Sequence, residues 1–101
     1  MNYTVRFTRE ARRDLDRLYG FLLEHDLDRA QEAIDAIEAA LALLARFPFS
    51  CRKAAGGAQG PFLRELIVPF GTTGYVVLFE IEHRHFVTVL AVRHQRESDY
   101  F

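Results

Sequence analysis

Two neighbouring segments of the chain carry apolar residues at helical spacing, and only a short turn separates them. In the first segment, which follows the possible cap Thr8, these residues are Ala11, Leu15, Leu18, Tyr19 and Leu22. In the second they are Ala30, Ala33, Ile34, Ile37, Leu41 and Leu44. Each pattern predicts a helix with one apolar side. Because the connection His25-Asp26-Leu27 is so short, the two helices must form an antiparallel hairpin.

Local signals predict where the second helix begins and ends. Asp28, with Gln31 three residues later, resembles a capping box and predicts a start at that point. The pair Phe47-Pro48 predicts the end, because proline disfavours helical geometry in the residue before it. Residues 50–61 are rich in Gly and Ala and predict a mobile loop.

Strand-like patterns stand on both sides of the predicted helices. Residues 3–7 alternate between apolar and polar side chains, as one half-buried strand does. Three more strands are predicted at residues 62–68, 75–81 and 86–92, the first of them ended by Pro69. Residues 75–81 are apolar on both faces and predict a central strand. Short connections predict an antiparallel meander.

The predicted fold is therefore α+β, with the element order β-α-α-β-β-β and a helical hairpin packed on an antiparallel sheet. Half of the residues are hydrophobic, which is enough apolar material for one domain covering residues 1–101. The formal net charge of −1 is too small to predict non-specific binding to nucleic acid. Residues 1–45 carry more acidic than basic groups and residues 46–101 the reverse, so we expect an anionic partner to contact the C-terminal half.

Several features favour a cytoplasmic protein that uses no metal or cofactor and does not enter membranes. The N-terminus lacks the features of a signal peptide, and no apolar run approaches the roughly 18 residues that a bilayer requires. Cys51 is the only cysteine, so it cannot form an intramolecular disulfide, and we expect a small, semi-buried side chain. His83-Arg84-His85 is expected at an exposed hairpin tip rather than at a metal.

Several short motifs, in this order and in a chain of this length, match the layout of one known family. Ala11-Arg12-Arg13-Asp14-Leu15 is similar to its first helix, and Phe47-Pro48 to the end of its second. Arg64-Glu65 and Gly74-Tyr75-Val76-Val77-Leu78-Phe79 are similar to its middle strands. The exit of the last strand, Val92-Arg93-His94-Gln95-Arg96, is the most telling match. Together these motifs resemble the ParE/RelE toxin family.

The resemblance implies a toxin of a type II toxin–antitoxin pair, with two different activities on one fold. ParE-like members inhibit DNA gyrase by binding it, and RelE-like members cut messenger RNA in the ribosome. Members of both kinds are neutralised by an antitoxin with a DNA-binding N-terminal part and a flexible C-terminal tail. We therefore expect a hetero-oligomer with a cognate antitoxin.

The chain departs from the RelE-like pattern at several positions. It has Gly71-Thr72-Thr73 where RelE-like members carry an arginine before the middle strand, and Gln95 where another arginine is expected. Lys53 is the only lysine. The gyrase-directed interpretation is therefore favoured, with no residue assigned to catalysis. Its target-binding residues would be Arg93, His94, Arg96, Tyr100 and Phe101.

Two alternatives remain open at this level. In a messenger-RNA endonuclease, a proton carrier and cations for the phosphate would be needed, and the candidates are Arg64, His94, Arg96 and Tyr100. The chain would then act on the ribosome and its message. An inactive adaptor, by contrast, would bind an antitoxin and contribute to autoregulation without harming the cell.

Overall fold

The computed structural model describes residues 2–83 and 85–95, and its elements follow the predicted order. The helices are α1 (Arg9–His25) and α2 (Leu27–Arg46). The strands are β1 (Thr4–Phe7), β2 (Arg52–Lys53), β3 (Leu63–Phe70), β4 (Thr73–Glu82) and β5 (Phe86–His94). Within the described residues the strands form one sheet in the order β1-β5-β4-β3-β2. The α+β class and the β-α-α-β-β-β order are confirmed, and the two-residue strand β2 is an addition to them.

The first strand differs from the rest of the sheet in direction. β3, β4 and β5 form the predicted antiparallel meander. β1 instead runs parallel to β5, with Thr4 opposite Phe86 and Phe7 opposite Val89. Parallel neighbours need a long connection, and the whole of the hairpin and meander provides it. The N-terminal strand therefore lies at an edge, beside the last strand.

Both helices pack against one face of this sheet. The alternating residues of β4 that face them are Tyr75, Val77, Phe79 and Ile81. The other face carries a smaller apolar cluster that contains Ala54, Leu78 and Ala91. β4 is thus central and apolar on both faces, as its sequence predicts. In the described part of the chain, neither helix has the length and apolar character that crossing a membrane would require.

The helix ends are set by side chains that cap backbone amides. The hydroxyl of Thr8 accepts a hydrogen bond from the N–H of Ala11 at 3.1 Å, so the predicted cap of α1 is confirmed. The capping box predicted at Asp28 is wrong, because the N-cap of α2 is Asp26, two residues earlier. Asp26 has extended backbone, and its carboxylate accepts the N–H groups of Asp28 and Arg29.

Pro69 does not end β3 as predicted, since the strand continues to Phe70. Phe70 pairs with Thr73 across a two-residue turn, and Pro69 pairs with Gly74. Hydrogen-bonded and non-bonded pairs alternate in an antiparallel ladder, so the nitrogen of Pro69 lies on the outer edge of β3. A proline costs no ladder hydrogen bond there, because β2 covers β3 only at Glu65 and Arg64.

Residues 50–61 are more structured than the predicted mobile loop. A short helical turn, Pro48–Ser50, follows α2, and Arg52–Lys53 then adds to the sheet as β2. A second turn, Ala54–Gly57, places the buried side chain of Ala54 against the second face of the sheet. This segment therefore forms the border of the sheet beside β3.

Candidate functional site

The end of β5 carries the described part of the candidate target-binding segment. Arg93 lies opposite Val76, and His94 lies opposite Tyr75. Since neighbouring side chains of a strand point to opposite faces, His94 is on the face that the helices cover and Arg93 is on the other. The guanidinium of Arg93 approaches the carbonyl oxygen of His94 at 3.3 Å.

Helix α1 holds this part of β5 where β1 no longer covers it. The hydroxyl of Thr8 donates to the carbonyl of Leu90 at 3.2 Å, and the N–H of Val92 donates to the carboxylate of Asp14 at 2.9 Å. On the other side, the N–H of Gln95 donates to the carbonyl of Gly74 at 2.8 Å. The strand that leads to the C-terminal segment is therefore fixed from both sides.

The imidazole of His94 is held by two residues of β4. Its Nε2 lies 2.9 Å from the hydroxyl oxygen of Thr73, within hydrogen-bond distance. Its ring packs edge-on against the ring of Tyr75, with centroids 5.8 Å apart. The sequence does not reveal Thr73 as a partner of His94, because the approach of the two side chains depends on the register of two strands. Once Tyr75 is known to pair with His94, Thr73 becomes a diagonal neighbour two residues away.

Tyr75 is a core residue, as its sequence context predicts, and is 3% exposed. Its ring stacks on Phe70 with centroids 5.6 Å apart. Burial raises the pKa of the Tyr75 phenol, and the nearby positive charge of Arg29 offsets part of that shift. The guanidinium of Arg29 lies over the Phe70 ring, 4.5 Å from its centroid. The buried, neutral ring of Tyr75 therefore provides a fixed surface against which the His94 ring packs.

Arg64 lies on β3 and is engaged with the backbone of the border segment. Its guanidinium donates to the carbonyl oxygens of Pro61 at 2.7 Å, Cys51 at 2.8 Å and Phe49 at 3.1 Å. The neighbouring residue Glu65 forms a cross-strand ion pair with Arg52, at 3.2 Å. These contacts give Arg64 a role in holding the segment that follows α2.

The sheet register separates Arg64 from His94. Arg64 lies opposite Phe79 on β4, whereas His94 lies opposite Tyr75 on the other side of the same strand. Four residues along a strand correspond to about 13 Å, and two strand spacings add about 10 Å across the sheet. The two predicted residues are therefore not brought together. Arg96, Tyr100 and Phe101 lie outside the described residues.

The opposite tip of the sheet carries His83 and His85. Both side chains are exposed, as predicted, and the ring of His85 packs edge-on against Tyr3 with centroids 5.5 Å apart. Nearby, the Thr88 hydroxyl and then the Arg6 guanidinium hold the pKa of Glu82 below its ordinary value. Across residues 2–83 and 85–95, no three His, Cys, Asp or Glu side chains are grouped as metal ligands.

Cys51 is 7% exposed, which is more buried than the semi-buried position predicted for it. Burial raises the pKa of its thiol, and a hydrogen bond with Ser50 and the charge of Arg64 offset part of the shift. The thiolate is the reactive form, so this cysteine is protected both by burial and by its protonation.

We expect Cys51 to react with a thiol reagent such as Ellman's at least about tenfold more slowly in the folded protein than in urea, because both effects disappear on unfolding. Because the pKa is raised, the rate in the folded state should still increase at alkaline pH where the unfolded chain has reached its plateau. Stopped-flow absorbance would measure both rates. Equal rates in the two states would contradict the buried position.

The architecture is shared with chains in solved structures of toxin–antitoxin systems. A chain of the chromosomal ParDE system from P. aeruginosa superposes with a TM-score of 0.68 and 17% sequence identity, covering 91% of this chain and 95% of that one. A chain of the toxin–antitoxin complex RelBE2 from Mycobacterium tuberculosis gives a TM-score of 0.63 and 30% identity, covering 96% and 95%. These likenesses define the class of fold.

Sequence comparison identifies the family. The sequence model described as "ParE toxin of type II toxin-antitoxin system, parDE" matches residues 5–99. Toxin RelE1 of Caulobacter vibrioides is 35% identical over 81 residues, which cover 80% of this chain and 82% of that relative. The chain belongs to the ParE toxin family of type II toxin–antitoxin systems, within the wider ParE/RelE superfamily.

Proposed function

We propose that this type II toxin acts by binding DNA gyrase, without a hydrolytic site of its own, and that residues 93–101 form the main contact. The observation that carries the proposal is the position of Arg64. This arginine is a candidate of the nuclease interpretation, yet its guanidinium is directed to three backbone carbonyls. The sheet register also sets it about 13 Å along the strands from His94.

A binding toxin needs a rigid platform with an exposed, specific segment, and the end of β5 fits that need. The contacts of Asp14 with Val92 and of Gly74 with Gln95 fix the strand up to the point where the segment begins. The segment itself supplies Arg, Tyr and Phe side chains, which are enriched among residues that dominate binding energy.

The second candidate function is ribosome-dependent cleavage of messenger RNA, with Arg64, His94, Arg96 and Tyr100 as the candidate residues. It is favoured by the 35% identity with a relative named Toxin RelE1. His94, whose ring is held by Thr73, would then be the candidate proton carrier, since an imidazole is the most common general acid or base in enzymes. The separation of Arg64 from His94 counts against this mechanism.

We also propose a cytoplasmic complex with an antitoxin whose flexible C-terminal tail covers the toxin. Two apolar grooves support this proposal. One, of about 230 Å³, lies between α1 and α2 and is lined by residues such as Leu15, Leu22 and Ile37. Another, of about 340 Å³, lies between α2 and the edge of β3. Such grooves, and the uncovered edge of β3, are suited to a segment that folds on binding.

Induction of the toxin without its antitoxin separates the candidate functions. Inhibition of supercoiling, filamentation and DNA-damage signalling, with intact messages, are the results expected of a gyrase inhibitor. Rapid loss of ribosome-bound messages with intact DNA would instead establish the endonuclease. A host that grows normally while the folded protein accumulates would favour the inactive adaptor.

Replacing His94 with alanine should weaken growth inhibition by about tenfold in the inducer dose required, as expected for loss of an interface anchor. Arg96→Ala should act in the same direction. His83→Ala is the matched control, since His83 is exposed at the opposite tip of the sheet. Dose–response curves of induced cultures, with immunoblots for protein level, would measure the effect. Full toxicity in both C-terminal variants would assign the segment a structural role only.

A further inference from the structure

Thr73 bonds the side chain of His94 to the central strand. It begins β4 immediately after the two-residue turn, where it pairs with Phe70 of β3. His94 is the last residue of β5 and pairs with Tyr75. The hydroxyl of Thr73 and the Nε2 atom of His94 are 2.9 Å apart, so a hydrogen bond crosses from one strand end to the other.

The hydrogen bond acts on a ring that has little freedom to turn. One edge of the His94 imidazole meets Tyr75, at an interplanar angle of 88°. Tyr75 cannot move aside, because it is 3% exposed and stacked on Phe70. A ring that rests on a fixed aromatic surface and is bonded at one nitrogen is held in one orientation. Such preorganisation reduces the entropy lost on binding.

The backbone on either side of this contact is fixed as well. The N–H of Gln95 donates to the carbonyl of Gly74, the residue between Thr73 and Tyr75. The last described residues, His94 and Gln95, are therefore bound to β4 through both side chain and backbone. Within the described residues, these two contacts are where the sheet can fix the orientation of the start of the target-binding segment.

We propose that Thr73 is a positioning residue for target binding: its hydroxyl orients the His94 imidazole and thereby presents the start of the C-terminal segment to the target. This inference rests on the proposed role of His94 in target binding. It does not depend on which macromolecule is the target, because His94 is a candidate residue in both functions.

The test is a double-mutant cycle in growth inhibition, with Thr73→Val, His94→Ala and the combination. Valine keeps the shape of threonine and removes the hydroxyl. Thr73→Val should raise the inducer dose for half-inhibition by about tenfold, as His94→Ala should. The double variant should require no higher dose than either single variant, because both substitutions remove the same contact. Thr73→Ser, which retains a hydroxyl, should restore activity to near the wild-type dose.

A second measurement distinguishes orientation from stability. The ¹⁵N chemical shift of the His94 Nε2 atom, measured by NMR on the complex with antitoxin, should change in Thr73→Val and return in Thr73→Ser. Thr72→Val is the matched control, because Thr72 is the exposed neighbouring residue of the same turn. It should leave both the inducer dose and the ¹⁵N shift unchanged.

The possible outcomes of these experiments test the role of Thr73 and the role of His94 separately. If His94→Ala weakens inhibition but Thr73→Val does not, the positioning role is overturned while the target-binding role of His94 stands. If the two effects add fully, or if Thr73→Ser fails to restore activity, the hydroxyl is not acting through His94. If His94→Ala itself has no effect, both the target-binding role of His94 and the positioning role of Thr73 fail.

Discussion

Replacing Phe79 with alanine should lower the free energy of unfolding by about 3–5 kcal/mol, the usual cost of removing a buried phenylalanine. Phe79 is 0% exposed and lies in the centre of β4, within the core cluster that joins sheet and helices. Small domains have a total stability of about 5–15 kcal/mol, so most of the margin would be lost. Urea denaturation followed by circular dichroism would measure the change.

Phe62→Ala is the matched control for this substitution. Phe62 is 54% exposed and contacts Phe49 edge-on with ring centroids 6.2 Å apart. Its loss should cost no more than about 1 kcal/mol, which is typical of a surface position. Equal shifts of the urea midpoint for the two variants would mean that the helices do not cover β4 as described.

The second large effect is expected at Gly74, where alanine should cost about 1–3 kcal/mol, as overpacking does. A Cβ atom at Gly74 would overlap the carbonyl oxygen of Val68, which belongs to the backbone of β3 and cannot rotate away. The β3–β4 hairpin would have to open locally. Because Gly74 also accepts the N–H of Gln95, growth inhibition should fall together with stability.

Replacing Gly20 with alanine should instead raise the free energy of unfolding. Nothing lies within 4 Å of a Cβ atom built at Gly20, and alanine in a helix is favoured over glycine by about 1 kcal/mol. Thermal unfolding of Gly74→Ala, Gly20→Ala and the wild-type protein would test both statements at once. A melting temperature for Gly74→Ala at or above that of the wild-type protein would exclude the close approach to Val68.

The parts of the fold that sequence could predict are those determined by neighbours along the chain. The spacing of the apolar residues predicts the two helices, and the short connections predict the helical hairpin and the strand meander. The parallel pairing of β1 with β5 joins residues about 80 positions apart and leaves no local pattern. The cap at Asp26 was missed because the pair Asp28 and Gln31 offered an equally good local signal.

The site was less predictable because its contacts depend on strand register. His94 could be selected from the motif at the exit of β5, but its partner Thr73 becomes recognisable only when Tyr75 is known to lie opposite it. Arg64 could be selected as a cation on a middle strand. That its guanidinium also meets the carbonyls of Phe49 and Cys51 follows from the turn at Pro48–Ser50, which has no strong sequence signal.

Pro69 gives the border of this sheet a property that matters for the protein before it meets its antitoxin. The stretch of β3 beyond β2 pairs with no described strand on its outer side, and an open edge can recruit a copy of the same chain and start aggregation. Because Pro69 offers no N–H on this outer side, one ladder hydrogen bond is missing when a copy of the same strand pairs here, and self-pairing is weakened. A proline that costs the hairpin nothing can therefore help the unbound toxin to remain dispersed.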